Sequence, residues 1–374
     1  MGNVFGCGRA PSPADYNYNV GDIWISITTR QVFRLVTVIY STTLFEDYPS
    51  KAIWEELTPN EIARTAPYCL DYSDVFSEYL IFNEGYCFPL FMWAGGKSRM
   101  IKHYKPHIPK DGKLYIEPFC GSGAMFLYVR TNIPSYRDFV LNDTNSEIVN
   151  LYIQVRDNLQ DILWGMDNLS EEYLALSIPD RRDFYYNLRH EYTECAHIWS
   201  PVREAFTLYF LLKTCFNGIW QTTKASKGRF GTPCGRLMHT AGVYDKVNTA
   251  DWSMLLQDVK ICSEDWRQMA RYDHKDAWFF MDPPYRGGHM NYGSEFSDNH
   301  QLSVLDFMRS ADSDVTLCNR DLGDNFFTRH LPYGYSMTTI DVIYTAGRRL
   351  RLDNGAHRAK RATEVFIYPE KFAA

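Results

Sequence analysis

The chain has 374 residues, 45% of them apolar and 16% aromatic, which is ample for large buried cores, and no apolar run approaches the roughly 18 residues that would span a bilayer. Its nine cysteines are scattered without a C-x-x-C pair, which indicates neither a disulfide framework nor a zinc site and predicts a soluble cytoplasmic protein with reduced thiols. The formal net charge of −6 lies in residues 1–91, which hold eleven acidic and five basic side chains, while the rest of the chain holds 34 of each sign.

The first 85 residues form a small predicted α+β module whose role the sequence does not reveal. Two β-rich segments, 23–27 and 32–40, flank a polar turn and predict a hairpin. Further on, Thr58 has the features of a helix N-cap, with Pro59 at the first helical position and Glu61 three residues later.

From about residue 86 the pattern changes to short apolar runs that end in turns and precede helical stretches such as 124–130, which is typical of an α/β fold. Strands are predicted at 114–116, 139–141, 259–262, 277–281 and 315–318, with a closing antiparallel pair at 336–344 and 364–368. Between the second and third strands, about a hundred residues of helical periodicity, such as 201–212, are too long for a simple connection. The sequence therefore predicts a catalytic domain at 86–148 and 247–374 with an inserted, mainly helical domain at 149–246.

A glycine-rich loop follows the first strand of this region and precedes the helix at 124–130. The loop runs from Glu117 through Gly121 to Gly123, and glycines there let backbone amides approach a ligand at the helix N-terminus. One strand later, Asp143 is a carboxylate that could accept hydrogen bonds from two ribose hydroxyls. Together the two features predict a nucleoside site.

An apolar strand ends at Asp282, which is followed by two prolines and Tyr285. The prolines fix φ and remove two amide donors, so carbonyl oxygens can point into a cleft. The Asp282 carboxylate and the Pro283 carbonyl could then hold both N–H bonds of a planar exocyclic amine, with Tyr285 stacked on its ring. The pattern predicts a site that activates such an amine, which is a poor nucleophile because its lone pair is delocalised.

Basic side chains cluster in two places despite the negative total. Five bases and no acid lie between residues 213 and 238, and six bases against one acid lie between 348 and 361. Such patches can neutralise phosphates whatever the global charge. They predict a nucleic-acid surface.

These features belong to a series of short motifs: W-A-G-G-K at 93–97, E-P-F-C-G-S-G at 117–123, N-D-T-N at 142–145, F-N-G at 216–218, G-R-F-G-T-P-C-G-R at 228–236, D-W at 265–266, D-P-P-Y at 282–285, C-N-R-D at 318–321, and N-G at 354–355 with Glu364. In this order they resemble the Dam-like DNA adenine-N6 methyltransferases, the α-group of amino methyltransferases, over residues 91 to about 369. The first 85 residues have no counterpart in the resemblance.

The resemblance implies a Rossmann-like class I methyltransferase fold, with a mostly parallel seven-stranded sheet and a terminal antiparallel hairpin. It implies that the protein flips an adenine out of double-stranded DNA and methylates N6 directly from S-adenosyl-L-methionine without a metal, in a bacterial cell or a phage-infected host. A monomer is expected, although the sequence does not reveal the oligomeric state. It assigns catalysis to Asp282, Pro283 and Tyr285. It assigns cofactor binding to Trp93, Lys97, Glu117, Phe119, Gly121, Gly123, Asp143, Asp265 and Trp266. It assigns DNA binding to Phe216, Asn217, Lys227, Arg229, Arg236, Arg348, Asn354 and Arg358.

Other functions stay open at this point. Methylation of adenine in RNA, of cytosine N4 or of a glutamine amide would use related motifs, although Asp at position 282 favours adenine. The motifs at 216–218 and 228–236 resemble the family's recognition hairpin, and this hairpin and the long insertion favour duplex DNA. A catalytically inactive DNA-binding relative is a further alternative, yet every cofactor motif is present. Where GATC-specific members carry a lysine that reads the first guanine, this chain has Met92, which argues against GATC specificity.

Overall fold

The computed structural model describes residues 87–93, 95–235, 243–287, 296–342 and 361–373 in full, and only the backbone of the strands at 4–7, 23–26, 32–42, 47–56, 343–344, 350–351, 357–358 and 360. The chain divides into two compact units, residues 1–87 with 246–255 and residues 88–245 with 256–374. In the described residues no helix is both long enough and apolar enough to cross a membrane.

The first unit contains a four-stranded sheet and the helix Lys246–Leu255. Its strands are β1 (Val4–Cys7), β2 (Ile23–Ser26), β3 (Val32–Thr42) and β4 (Asp47–Glu56), paired in that order. Strands β1 and β2 are parallel, and the other pairs are antiparallel. The register Ile23↔Arg34 and Ile25↔Val32 confirms the predicted hairpin. The helix start predicted at Thr58 lies outside the described residues.

The second unit is built on a seven-stranded sheet. Its strands are β5 (Leu114–Glu117), β6 (Asp138–Asn142), β7 (Val259–Cys262), β8 (Ala277–Met281), β9 (Asp314–Asp321), β10 (Tyr335–Tyr344) and β13 (Lys360–Pro369). They pair in the order β10-β13-β9-β8-β5-β6-β7. A separate ribbon pairs β11 (Leu350–Arg351) with β12 (His357–Arg358). Strands β5 to β9 are mutually parallel, whereas β13 pairs antiparallel with both β9 and β10. The predicted mostly parallel sheet with an antiparallel terminal pair is therefore confirmed.

Eight helices surround the strands in the described part of the second unit, and several of them begin at side-chain caps. They are α1 (Ile101–Tyr104), α2 (Ala124–Asn132), α3 (Ser146–Asp157), α4 (Leu159–Ala175), α5 (Ile178–Cys195), α6 (Pro201–Thr214), α7 (Asp298–Ser310) and α8 (Phe326–His330). The Asn145 side chain accepts from two backbone N–H groups of α3, and Ser200 caps α6 ahead of Pro201. The helices predicted at 124–130 and 201–212 lie within α2 and α6.

The core forms on both faces of the parallel strands. Every residue of β8 is buried, which explains its continuous apolar sequence, because a parallel strand covered on both faces has no solvent-facing alternation. Phe279 and Met281 of β8 pack in one cluster with Val315 and Leu317 of β9 and Met269. This rigid centre fixes the strand ends from which the site is built.

Candidate active site

The carboxyl ends of the parallel strands bring together the polar residues predicted to carry the chemistry. Glu117 ends β5, Asp143 follows β6, Asp282 follows β8, and Cys318 lies near the end of β9. In open parallel sheets this edge is where ligands bind. The predicted cofactor loop and the predicted catalytic turn thus share one edge.

Asp143 organises the glycine-rich loop. Its Oδ2 accepts from the Gly121 amide at 3.0 Å, and its Oδ1 accepts from the Asn145 amide at 2.9 Å. Gly121 and Gly123 have φ of +47° and +64°, a region that side chains with a Cβ rarely adopt. Burial raises the pKa of Asp143, and the two amide hydrogen bonds oppose that rise. The loop and the acidic residue form one hydrogen-bonded unit.

Aromatic side chains flank this loop. A Cβ at Gly121 would lie 2.8 Å from Trp93 Nε1, so Trp93 packs directly on the loop backbone. The ring centroids of Phe119, in the same loop, and Trp266 lie 6.1 Å apart. Trp266 is buried, whereas Asp265 is nearly half exposed and accepts hydrogen bonds from the Arg267 backbone and guanidinium. These four of the nine predicted cofactor residues thus lie on or beside the loops that follow β5 and β7.

Asn142 has a role that the motif alone did not reveal. It is completely buried, and its Nδ2 donates to Pro118 O at 2.9 Å and to Glu264 O at 3.0 Å. Its Oδ1 accepts from the Glu264 amide at 2.9 Å. One amide thus joins the turns that follow β5, β6 and β7; the signal in the sequence was a polar residue that ends an apolar strand.

Asp282 is held by two buried partners. Lys97 Nζ lies 2.5 Å from its Oδ2, and the Cys318 thiol donates to its Oδ1 at 3.2 Å. The Lys97 side chain is 5% exposed and the Asp282 side chain 19% exposed. Burial raises the pKa of Asp282, while Lys97 and Cys318 oppose that rise. Lys97, predicted to contact the cofactor, therefore lies against the predicted catalytic carboxylate.

Tyr285 is held at its hydroxyl group and at the face of its ring. Its hydroxyl donates to Glu364 Oε2 of β13 at 2.8 Å. The Lys97 ammonium lies 4.8 Å from the centroid of its ring, within cation–π range. Burial raises the pKa of Tyr285, and the neighbouring acidic groups raise it further. Tyr285 is thus a neutral ring held in one orientation.

Glu117 is a second buried carboxyl group at this edge. It is 3% exposed and accepts from the Tyr115 hydroxyl at 2.8 Å. Burial raises its pKa to about 8; the Tyr115 hydrogen bond opposes the rise, Asp282 adds to it, and Lys97 opposes it again. Burial at this edge therefore works against a charge on Glu117.

Arg286, which the sequence reading missed, anchors the catalytic turn. Its guanidinium donates to both carboxylate oxygens of Asp298 at 2.7 and 2.8 Å and to those of Asp324 at 3.0 and 2.9 Å. Its backbone amide donates to Asn319 Oδ1 at 3.0 Å, and Gln301 donates to the Pro284 carbonyl at 2.8 Å. No local pattern in the sequence marks this clamp, because its carboxylates come from the start of α7 and from the turn before α8.

The segment 215–235 was predicted to contain a recognition hairpin. It is closed by an antiparallel bridge between Cys215 and Cys234 and by turns at positive φ, without regular strands in this described segment. Asn217 and Gly218 have φ of +54° and +60°, and a Cβ at Gly218 would clash with the Met92 backbone. The Phe216 amide donates to the Pro233 carbonyl at 2.9 Å, and the Gly235 amide donates to the Thr214 carbonyl at 2.8 Å. The segment is therefore a closed loop whose two ends pair as in the predicted hairpin, and its part in recognition stays a prediction.

The predicted DNA-binding residues of this loop differ in their surroundings. Phe216 is 43% exposed. Lys227 forms a surface ion pair with Glu194 at 2.5 Å. Arg229 is 25% exposed and donates to Glu204 at 2.8 Å. Among the remaining predicted residues, Arg358 is described only by its backbone in β12, and three lie outside the described residues: Arg236, Arg348 and Asn354.

Comparison with known proteins agrees with this arrangement. Type II methyltransferase M.MjaIII of Methanocaldococcus jannaschii is 28% identical over 235 residues, covering 60% of this chain and 80% of the relative. Type II methyltransferase M.CviBI of Paramecium bursaria Chlorella virus NC1A is 27% identical, covering 71% and 93%. The DNA adenine methylase of Salmonella typhi is 26% identical, covering 74% and 93%.

A family model of adenine-specific DNA methyltransferases matches most of the second unit. The model described as D12 class N6 adenine-specific DNA methyltransferase matches residues 93–346, which is more than half of the chain and contains the glycine-rich loop, Asp143 and the D-P-P-Y turn. On this match the chain belongs to the D12 class of N6 adenine-specific DNA methyltransferases.

Proposed function

We propose that this protein binds S-adenosyl-L-methionine at the loops after β5, β6 and β7 and methylates N6 of an adenine flipped out of duplex DNA at Asp282. The observation that carries the proposal is the position of the Asp282 carboxylate, 19% exposed and held on both oxygens, at the same sheet edge as the glycine-rich loop. An exocyclic amine placed there meets an acceptor beside the cofactor loop.

The residues of this edge fit the cofactor. Asp143 uses one lone pair of each oxygen for the Gly121 and Asn145 amides, and a carboxylate has about four such sites, so one on each oxygen is left for two ribose hydroxyls. Trp93 and Trp266 offer apolar surfaces, and the acidic groups of this edge suit the ammonium and sulfonium charges of the cofactor. S-Adenosyl-L-methionine, when bound, supplies an electrophilic methyl group.

The catalytic turn would then prepare the amine. Asp282 and the Pro283 carbonyl accept its two N–H bonds, which draws the nitrogen out of conjugation with the ring. Tyr285, held by Glu364, stacks on the base. The methylated nitrogen must lose one proton, and the Asp282 carboxylate hydrogen-bonded to it is the group of this chain placed to receive that proton.

The closed loop at 215–235 is our candidate for the DNA contact, within a recognition domain that we place at 149–246. Phe216 is exposed and suits a wedge that fills the space left by a flipped base, with Asn217 beside it. Lys227 suits a phosphate contact because its ion pair with Glu194 is exposed and therefore weak. Arg229 suits a supporting role, since its partner Glu204 is mostly buried. Arg236, Arg348, Asn354 and Arg358 stay predictions.

Mass spectrometry of nucleosides tests the proposal. The purified protein is incubated with S-adenosyl-L-methionine and duplex DNA, with matched single-stranded RNA as a second substrate, and both are digested. We expect N6-methyldeoxyadenosine from the duplex. Recovery of N4-methyldeoxycytidine, methylation of RNA alone, or binding of DNA without any methyl transfer would contradict the proposal.

A further inference from the structure

We propose that Lys97 is the counter-ion that keeps the Asp282 carboxylate ionised and oriented as the acceptor for the target amine, and not a ligand of the cofactor. This inference rests on the proposed function, because it assigns a positioning residue to the same reaction. Lys97 precedes Asp282 by most of the second unit, so the pair is a product of the fold.

The geometry is that of a buried, directed ion pair. Lys97 Nζ lies 2.5 Å from Asp282 Oδ2, and it also donates to the Gly95 carbonyl at 2.5 Å. Gly95 has φ of +88°, a conformation that glycine adopts readily and other residues rarely do. With 5% of the side chain exposed, the ammonium has little access to water. Two acceptors and the Tyr285 ring at 4.8 Å therefore satisfy it inside the protein.

The electrostatics give this lysine a task. Burial alone lowers the pKa of a lysine, yet the pKa of Lys97 is raised, because Asp282, Cys318 and Glu364 outweigh the burial. The pKa of Asp282 is raised as well, which shows that burial there exceeds the attraction of Lys97. The two raised pKa values are consistent with each other. Several acidic groups stabilise the Lys97 ammonium, whereas Lys97 alone opposes the effect of burial on the Asp282 carboxylate by its charge.

Asp282 could not serve as a double acceptor if it took up a proton. A carboxylate accepts hydrogen bonds on both oxygens, and a carboxylic acid must direct its O–H at a partner. The titratable groups facing it come from every neighbouring element: Lys97, Tyr104 of α1, Glu117 of β5, Asp143 after β6, Tyr285, Cys318 of β9 and Glu364 of β13. Among these groups Lys97 is the positively charged one, so removing its charge leaves burial and the acidic groups to favour the protonated form.

The pH dependence of methylation by Lys97→Met tests this role. The acid limb of kcat/KM should move to higher pH by about one unit or more, the scale expected for loss of an adjacent opposite charge. Activity should recover towards the parent value at alkaline pH, where Asp282 ionises without help. Lys97→Arg should keep the acid limb near that of the parent. As a matched control, Lys113→Met removes a lysine that pairs with Asp276 at 2.6 Å at the amino end of β5, and it should leave the profile unchanged.

Several results would overturn the inference. A uniform loss of rate in Lys97→Met with an unmoved acid limb would mean that Lys97 is structural, and a lower KM for DNA with an unmoved limb would mean that it obstructs the amine site. A weakened affinity for S-adenosyl-L-methionine with an unmoved limb would return Lys97 to the cofactor. If Lys97→Met does not fold, the double variant Lys97→Met/Asp282→Asn should be the more stable one, because it removes the unpaired carboxylate; a less stable double variant would refute the pairing.

The inference and the proposed function fail separately. If the parent protein methylates no adenine at any pH, the proposed function is lost, while carboxyl NMR of Asp282 in the parent and in Lys97→Met still reports the ion pair. A higher Asp282 titration midpoint in Lys97→Met is expected, and an unchanged midpoint contradicts the counter-ion role.

Discussion

Replacing Asp143 with Asn separates ligand binding from folding at the cofactor loop. The carboxylate has two oxygens, each of which accepts one backbone N–H, and Asn keeps only one acceptor oxygen. A ribose hydroxyl thereby loses a charged acceptor, which is worth about 1.5–3 kcal/mol. At 1.4 kcal/mol per factor of ten, calorimetry should find S-adenosyl-L-methionine binding weakened about 10- to 150-fold.

Two opposed effects set the stability of the same variant. Since burial raises the pKa of Asp143 in the folded protein, the ionised carboxylate destabilises the fold above that raised pKa, and this cost disappears as the pH falls below the ordinary pKa. Asn removes the charge but leaves one of the two backbone amides without its acceptor, so Asp143→Asn without cofactor should melt close to the parent at pH 7.5 and below it at acidic pH, where the parent no longer bears the charge.

A matched control lies at the opposite edge of the sheet. Asp273 also accepts from two backbone amides, those of Asp312 at 3.1 Å and Ser313 at 2.9 Å, so Asp273→Asn should leave cofactor affinity unchanged. Unchanged affinity in Asp143→Asn would move the nucleoside site elsewhere. A lower Tm of Asp143→Asn at pH 7.5, in step with weaker binding, would mean that Asp143 only holds the loop.

Three further substitutions test the surroundings of the site. Phe216→Ala should reduce base flipping, seen as a loss of 2-aminopurine fluorescence at the target, with little change in sequence preference; normal flipping would exclude Phe216 as the wedge. Arg229→Ala should lower the free energy of unfolding in urea by about 1–3 kcal/mol because Glu204 loses its partner, and unchanged stability with relaxed sequence preference would instead assign Arg229 to the DNA. Arg286→Ala should lower the free energy of unfolding by about 2 kcal/mol, because the buried guanidinium and its hydrogen bonds are lost. The loss stays moderate because water can solvate the half-exposed carboxylates of Asp298 and Asp324, and a loss near zero would show that the clamp does not anchor the catalytic turn.

The strands of the second unit could be predicted because their residues carry local signals. The apolar run of β8 stops abruptly at Asp282, and β5 stops at a glycine-rich loop, so each strand end is visible without knowledge of its neighbours. The terminal antiparallel pair was predicted from two β-rich segments late in the chain, and β13 indeed pairs antiparallel with β10 and β9. In the first unit, the sequence predicted the hairpin of β2 and β3 but not β1 or β4.

The partners of the site residues could not be predicted in the same way. Lys97 was placed by its motif, yet its contact with Asp282 depends on how a turn before α1 meets the end of β8. Arg286 meets Asp298 and Asp324 only because the start of α7 and the turn before α8 converge on it. The sequence thus predicts which residues carry chemistry and leaves their pairing to the tertiary fold.

The central claim is that Asp282 accepts the target amine, and the single-turnover rate of Asp282→Ala at saturating S-adenosyl-L-methionine tests it most directly. The account predicts a loss of about 10²- to 10³-fold or more in N6-adenine methylation, by analogy with removal of one transition-state hydrogen bond, with cofactor affinity by calorimetry close to that of the parent. The Lys97 ammonium left behind can release its proton, so the fold should persist. Near-normal methylation by Asp282→Ala would contradict the mechanism.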